Sequence, residues 1–215
     1  MIGRTKTVIV YGEDDKPVGI VTEIVARVSA DVGAERLVFR GPVCFDDRGL
    51  QHLHSAILPV VDKITEDLDV PRKNYEISIV NLGASASTGM GIDISGFSAD
   101  LPLLLTLLSS SLQVGLRQDV VSTGHVASLD GDLAPVRGIS AKLDAILVLP
   151  GVTAFVLPEL KKDRSLEMLT PIEYEAAKES LLRHKGNIRI HSIGGVHDAI
   201  DIFTTDESLV LGSLR

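Results

Sequence analysis

The stretch Pro135-Val136-Arg137-Gly138-Ile139-Ser140-Ala141-Lys142-Leu143-Asp144-Ala145-Ile146 places one lysine at the start of an apolar segment. Apolar neighbours strip water from an ammonium group and favour its neutral form. A neutral amine can act as a base, and a base needs a nucleophile. Gly96-Phe97-Ser98-Ala99-Asp100 supplies one, setting a hydroxyl where a glycine-containing turn enters the apolar run 101–112. The pair Ser98 and Lys142 is therefore expected to form a Ser-Lys hydrolytic dyad. A serine at a helix start has free backbone N–H groups beside it, which can stabilise a developing oxyanion. The plainer use of Ser98 is to cap that helix, with Ser95 as a competing cap.

Outward from these two stretches the chain mixes strands and helices. Residues 7–11 and 18–30 are rich in Val, Ile and Thr, with Gly12-Glu13-Asp14-Asp15 between them, which predicts a hairpin. A short strand is expected at 37–40. Apolar residues three and four apart predict an amphipathic helix over 46–68, interrupted by Pro59. Alternation over 75–81 predicts a strand, followed by the small-residue run 83–91, which reads equally as a surface loop or as a mobile segment flanking a site. A buried helix at 99–112 precedes strands at 120–126 and 133–136. A helix at 139–149 then carries Lys142 in its first turn. A strand at 153–157, a helix at 171–184, a strand at 189–192 and a helix at 196–203 complete the chain. No regular alternation and no repeat is evident, so the expected class is α+β, as a single domain over 1–215.

Composition excludes several functions. The 215 residues are 45% hydrophobic but only 4% aromatic, with no tryptophan, so a core of Leu, Ile, Val and Ala is expected. The formal net charge is −8, and the dense cluster Lys161-Lys162-Asp163-Arg164 is mixed with acid. Phosphate backbones are repelled by such a chain, so nucleic acid is disfavoured as a partner. Cys44 is the only cysteine, which rules out an intramolecular disulfide and a cysteine metal site. His52 and His54 fall on different sides of a helix, so no shared metal is expected from them, and no metal ligands are assigned. The run 101–116 is broken by Thr106, Ser109, Ser110, Ser111 and Gln113 and falls short of a membrane span. No apolar signal core opens the chain, so a cytoplasmic setting without a membrane partner is expected.

At Ser98 and Lys142 the sequence resembles the proteolytic domain of Lon-type proteases. The family surrounds its nucleophile with Gly-Pro-Ser-Ala-Gly and an apolar helix, where this chain has Gly96-Phe97-Ser98-Ala99-Asp100 and then Leu-Pro-Leu-Leu-Leu-Thr. Around its lysine the family has a Thr-Gly-Glu strand and Gly-x-Val-x-Pro-Ile-Gly-Gly-Leu-x-x-Lys. This chain has Thr123-Gly124-His125, then Gly131-Asp132-Leu133-Ala134-Pro135-Val136-Arg137-Gly138-Ile139-Ser140-Ala141-Lys142. Val152-Thr153-Ala154-Phe155-Val156-Leu157-Pro158 matches the family strand that ends in Ile-Pro. The resemblance spans nearly the whole chain in order.

This resemblance implies an α+β fold of the ribosomal-protein type. It implies Ser98 as nucleophile, Lys142 as general base and Thr123 as the residue that orients the amine, with Gly96, Phe97, Ala99 and Asp100 as the surrounding turn. It implies a serine endopeptidase acting on unfolded protein or peptide, assembled as a six-membered ring. The chain contains no Gly-x-x-x-x-Gly-Lys-Ser/Thr phosphate loop, so no cofactor is expected here, and ATP would enter only through a separate ATPase domain or partner. Asp100 stands where the family has glycine, Ser95 where it has an acid, and His125 where it has glutamate. If the Asp100 carboxylate points into the site, an inhibitory or gating effect is expected, including an ion pair that holds Lys142 charged; if it points away, it complements the helix dipole and leaves activity unaffected. The alternative function is a catalytically weak module that builds a ring or binds a partner.

Overall fold

Residues 2–11, 17–30, 35–41, 43–80, 92–94, 96–160 and 169–204 are described by the computed structural model. The hairpin is present. Strand β1 (Gly3–Tyr11) pairs antiparallel with β2 (Val18–Val28) from Gly3 opposite Ala26 to Tyr11 opposite Val18. Strand β3 (Leu37–Arg40) lies parallel to β5 (Tyr75–Val80), which pairs antiparallel with β2. On the other side of β1 come β7 (Val120–Ser122), β10 (Ala154–Pro158) and β11 (Arg189–Ile193), each parallel to its neighbour. The result is a seven-stranded mixed sheet in the order β11-β10-β7-β1-β2-β5-β3. The class is α+β.

The helices cover both faces of this sheet. Helices α1 (Asp47–His52) and α2 (Leu58–Glu66) are joined by a π-helical turn, Leu53–Ile57. Pro59 explains the turn. Proline offers no N–H to the ladder and crowds the carbonyl four residues back, and the wider turn relieves both, with the Leu58 N–H reaching Leu53 O. With α3 (Asp100–Leu112) and α6 (Val196–Phe203), this body packs on the face carrying Ile24, Ile77, Val120 and Val156. The alternate residues Val8, Val121, Phe155 and Leu157 meet α4 (Ile139–Leu147) and α5 (Pro171–His184). Successive side chains of a strand point to opposite faces, so one strand feeds both cores.

Several expectations are corrected. The strand expected over 120–126 is two pieces: β7 ends at Ser122, and β8 (His125–Val126) turns away to pair with β9 (Leu133–Ala134). A parallel pair between β4 (Val43–Phe45) and β6 (Ile92–Ile94) was not foreseen. In the main sheet, the C-terminal strands β7, β10 and β11 are parallel, with the β8–β9 pair and α4 between the first two and α5 between the last two, whereas the N-terminal half is built on the antiparallel hairpin. The run 83–91 and the cluster 161–164 lie outside the described residues. Among the described residues, no helix is long and apolar enough to cross a membrane.

Two glycines let the elements that carry the candidate site approach closely. A Cβ on Gly19 of β2 would stand 2.5 Å from Ala141 O and 2.9 Å from the Ala145 Cβ, so α4 can rest on the sheet only over a bare backbone. Gly138, which precedes α4, has φ +72, a conformation that L side chains rarely adopt.

Candidate active site

Lys142 closes the first turn of α4, its N–H bonding Gly138 O at 3.0 Å. Its side chain runs inward and is 1% exposed. Among the described residues, the ammonium meets no carboxylate. Its one hydrogen bond among the described residues is donated to Thr123 Oγ1 at 2.7 Å. Burial alone pushes its pKa down from 10.5 to about 7. Near neutral pH the amine is thus available as a base, the state the sequence argument required.

Thr123 connects this lysine to the serine turn. Its hydroxyl donates to the Ser98 carbonyl at 3.0 Å. The next residue repeats the link through the backbone: the Gly124 N–H bonds Ser98 O at 3.1 Å, and Gly124 O accepts the Leu101 N–H at 3.1 Å. The break between β7 and β8 therefore has a local role. Where the chain leaves the sheet, it holds the turn before α3.

Ser98 sits in that turn, partly exposed, and does not cap the helix. The N-cap position is Ala99, and no side chain caps it. Ser98 Oγ makes no hydrogen bond among the described residues, including none to Lys142. Gly96 takes φ +83 and is exposed, and Ala99 is buried. The supply of oxyanion donors differs from the expectation. The Asp100 N–H is engaged by Phe97 O at 3.2 Å, the Leu101 N–H by Gly124 O, and Pro102 has none. Among the described residues, the N–H groups of Ser98 and Ala99 are the ones left without a backbone partner.

No family model matches this chain, and no curated protein does. The chemistry of the site rests on its own geometry: a buried lysine with a depressed pKa, a threonine shared between that lysine and the serine turn, and a serine whose hydroxyl has no partner among the described residues.

Asp100 overturns one expectation. Its carboxylate does not pair with Lys142. Asp100 is 2% exposed, and its Oδ2 meets His125 Nδ1 at 2.7 Å, the Val126 N–H at 3.2 Å and His52 Nε2 at 3.0 Å. Phe97 stacks on His125 with ring centroids 4.6 Å apart and tilts against His52 at 4.6 Å. Sequence reasoning missed this group, because His52, Asp100 and His125 come from α1, α3 and β8. It weighed His52 only against His54, which is exposed. A signal was present: His125 follows Thr123 by two residues, and Asp100 follows Ser98 by two.

Proposed function

We propose that this chain is a Lon-like serine endopeptidase domain using Ser98 and Lys142. The observation that carries the proposal is the Lys142 amine, buried with no counter-ion among the described residues and held by the same Thr123 hydroxyl that ties down the Ser98 turn. In the reaction, Ser98 Oγ bonds to the peptide carbonyl carbon while Lys142 takes the hydroxyl proton. The Ser98 and Ala99 N–H groups receive the oxyanion. Lys142 then delivers the proton to the departing amine. Water then attacks the acyl-enzyme carbonyl, giving a proton to Lys142; the bond from that carbon to Ser98 Oγ breaks, and Lys142 returns the proton to Oγ as the carboxylic acid product leaves. The resting amine sits on Thr123, so the step requires it to turn to Ser98 Oγ once substrate is in place.

The substrates would be unfolded proteins or peptides in the cytoplasm. Six copies would form a ring, with ATP hydrolysis supplied by a separate domain or partner. The second reading, a catalytically weak module that assembles a ring or binds a partner, is favoured by the absence, among the described residues, of a hydrogen bond between Ser98 Oγ and Lys142.

Cleavage of an unfolded protein and of fluorogenic peptides by the wild type, Ser98→Ala and Lys142→Arg separates the two. An enzyme loses turnover in both variants, because guanidinium stays protonated. Its wild-type rate rises with pH through about 7, as Lys142 loses its proton. Full hydrolysis by Lys142→Arg overturns the dyad. A folded wild type that forms a ring and cleaves nothing at any pH favours the module.

A further inference from the structure

We propose that His52, Asp100 and His125 form a binding site for a divalent transition metal, with zinc as the best-suited ion. The donor atoms of the three residues all lie within 4.8 Å of one another. Asp100 Oδ2 is 2.7 Å from His125 Nδ1 and 3.0 Å from His52 Nε2. Zinc bonds to imidazole nitrogen and carboxylate oxygen at about 2.0–2.1 Å, which spaces tetrahedral ligands about 3.3 Å apart. Small side-chain adjustments reach that arrangement. Two imidazoles and one carboxylate leave a fourth position for water or another ligand, the donor count of open zinc sites. Hard cations such as magnesium and calcium prefer all-oxygen sets and are poorly served by two imidazoles.

An internal hydrogen-bonded pair accounts for only part of this cluster. The His125 Nδ1–Asp100 bond is well formed, and the Val126 N–H fixes the same carboxylate oxygen. His52 Nε2 is different. It stands 3.0 Å from that oxygen, but its direction does not make a hydrogen bond. It is shut off from solvent and has no hydrogen-bond partner among the described residues. Buried polar atoms are ordinarily satisfied, so an orphaned imidazole nitrogen beside a carboxylate and a second imidazole points to a ligand. The surroundings also suit a metal. The Val126 N–H bonds the carboxylate oxygen that faces both histidines, as supporting groups of metal sites do, and the Phe97 ring packs against both imidazoles.

The ligands come from α1, the first turn of α3 and β8, and Ser98 lies two residues before Asp100. A bound ion would cross-link the elements around the serine turn whether or not the chain hydrolyses peptides. The proposal is thus independent of the dyad.

The test is zinc binding by metal-stripped full chain, followed by competition with a chromophoric chelator. One equivalent per chain in the micromolar range or tighter is expected, unaffected by excess magnesium. His52→Ala, Asp100→Ala and His125→Ala should each weaken binding at least tenfold, whereas His54→Ala, at the exposed neighbouring histidine, should not. X-ray absorption of the zinc-loaded wild type needs no variant and guards against misfolded ones; two imidazole shells plus oxygen are expected. Less than one equivalent in the wild type, unchanged affinity in the three variants, or a spectrum without two imidazoles overturns the site.

Discussion

Replacing Lys142 with methionine removes a buried charge while keeping a long unbranched side chain in the same space. An ordinary lysine titrates at 10.5, and Lys142 is pushed down to about 7 by burial. Between those values the unfolded chain holds a proton that the native fold has released. Stability rises with pH wherever the unfolded state binds more protons. The wild type should therefore gain stability from about pH 7 to 10.5, by about 1.4 kcal/mol per pH unit where the difference is complete. Below pH 7 both states are protonated, and the full penalty of burying the ammonium is present. Methionine escapes that penalty but gives up the bond to Thr123 Oγ1, a loss of about 1 kcal/mol. Thr123 keeps its bond to Ser98 O. Lys142→Met should then be more stable than the wild type by roughly 4 kcal/mol at pH 6, with the advantage vanishing or reversing near pH 10. Urea unfolding of both proteins from pH 6 to 10 measures this, and taking the difference cancels every other titrating group. A gap that stays constant with pH would refute the reasoning, because it would mean that Lys142 does not change charge between the native and unfolded states in this range.

Two further outcomes follow from the same geometry. Asp100→Gly should not raise turnover, since the carboxylate faces His52 and His125 rather than Lys142, and it should destabilise the fold by about 1–3 kcal/mol through the lost bonds to His125 and Val126. A clear rise in peptide cleavage with unchanged assembly would restore the gating idea. Gly19→Ala should cost about 1–3 kcal/mol, because the added methyl meets the α4 backbone at Ala141 and must push the helix that carries Lys142; denaturant midpoints check the stability, and unchanged stability would show that α4 has room to move.

Most secondary structure was legible because its causes are local. The β1–β2 hairpin follows from two β-branched runs around a turn, and α5 and α6 start and stop where the sequence pattern puts them. Helix α5 even carries a full capping box, Thr170 with Glu173, ahead of its apolar positions. The errors arose where pairing is long-range. Three-residue strands such as β4 and β6 have too little periodicity to announce themselves. The run 120–126 is β-forming throughout, and nothing in it says that its second half must leave the sheet for β9.

The sequence by itself named Ser98 and Lys142 as candidates for chemistry but did not bring His52, Asp100 and His125 together. An apolar helix start favours desolvation of a lysine that points inward, and a turn before an apolar helix is a place where a serine can present its hydroxyl. Only the tertiary structure decided what those groups meet. Lys142 reaches Thr123 because α4 lies over bare Gly19, and Thr123 reaches Ser98 because β7 stops one residue earlier. Asp100, two residues after that serine, pairs with two histidines supplied by α1 and β8 rather than with the lysine. Distances between residues far apart in the chain depend on how helices settle on the sheet, and local periodicity carries no information about that packing.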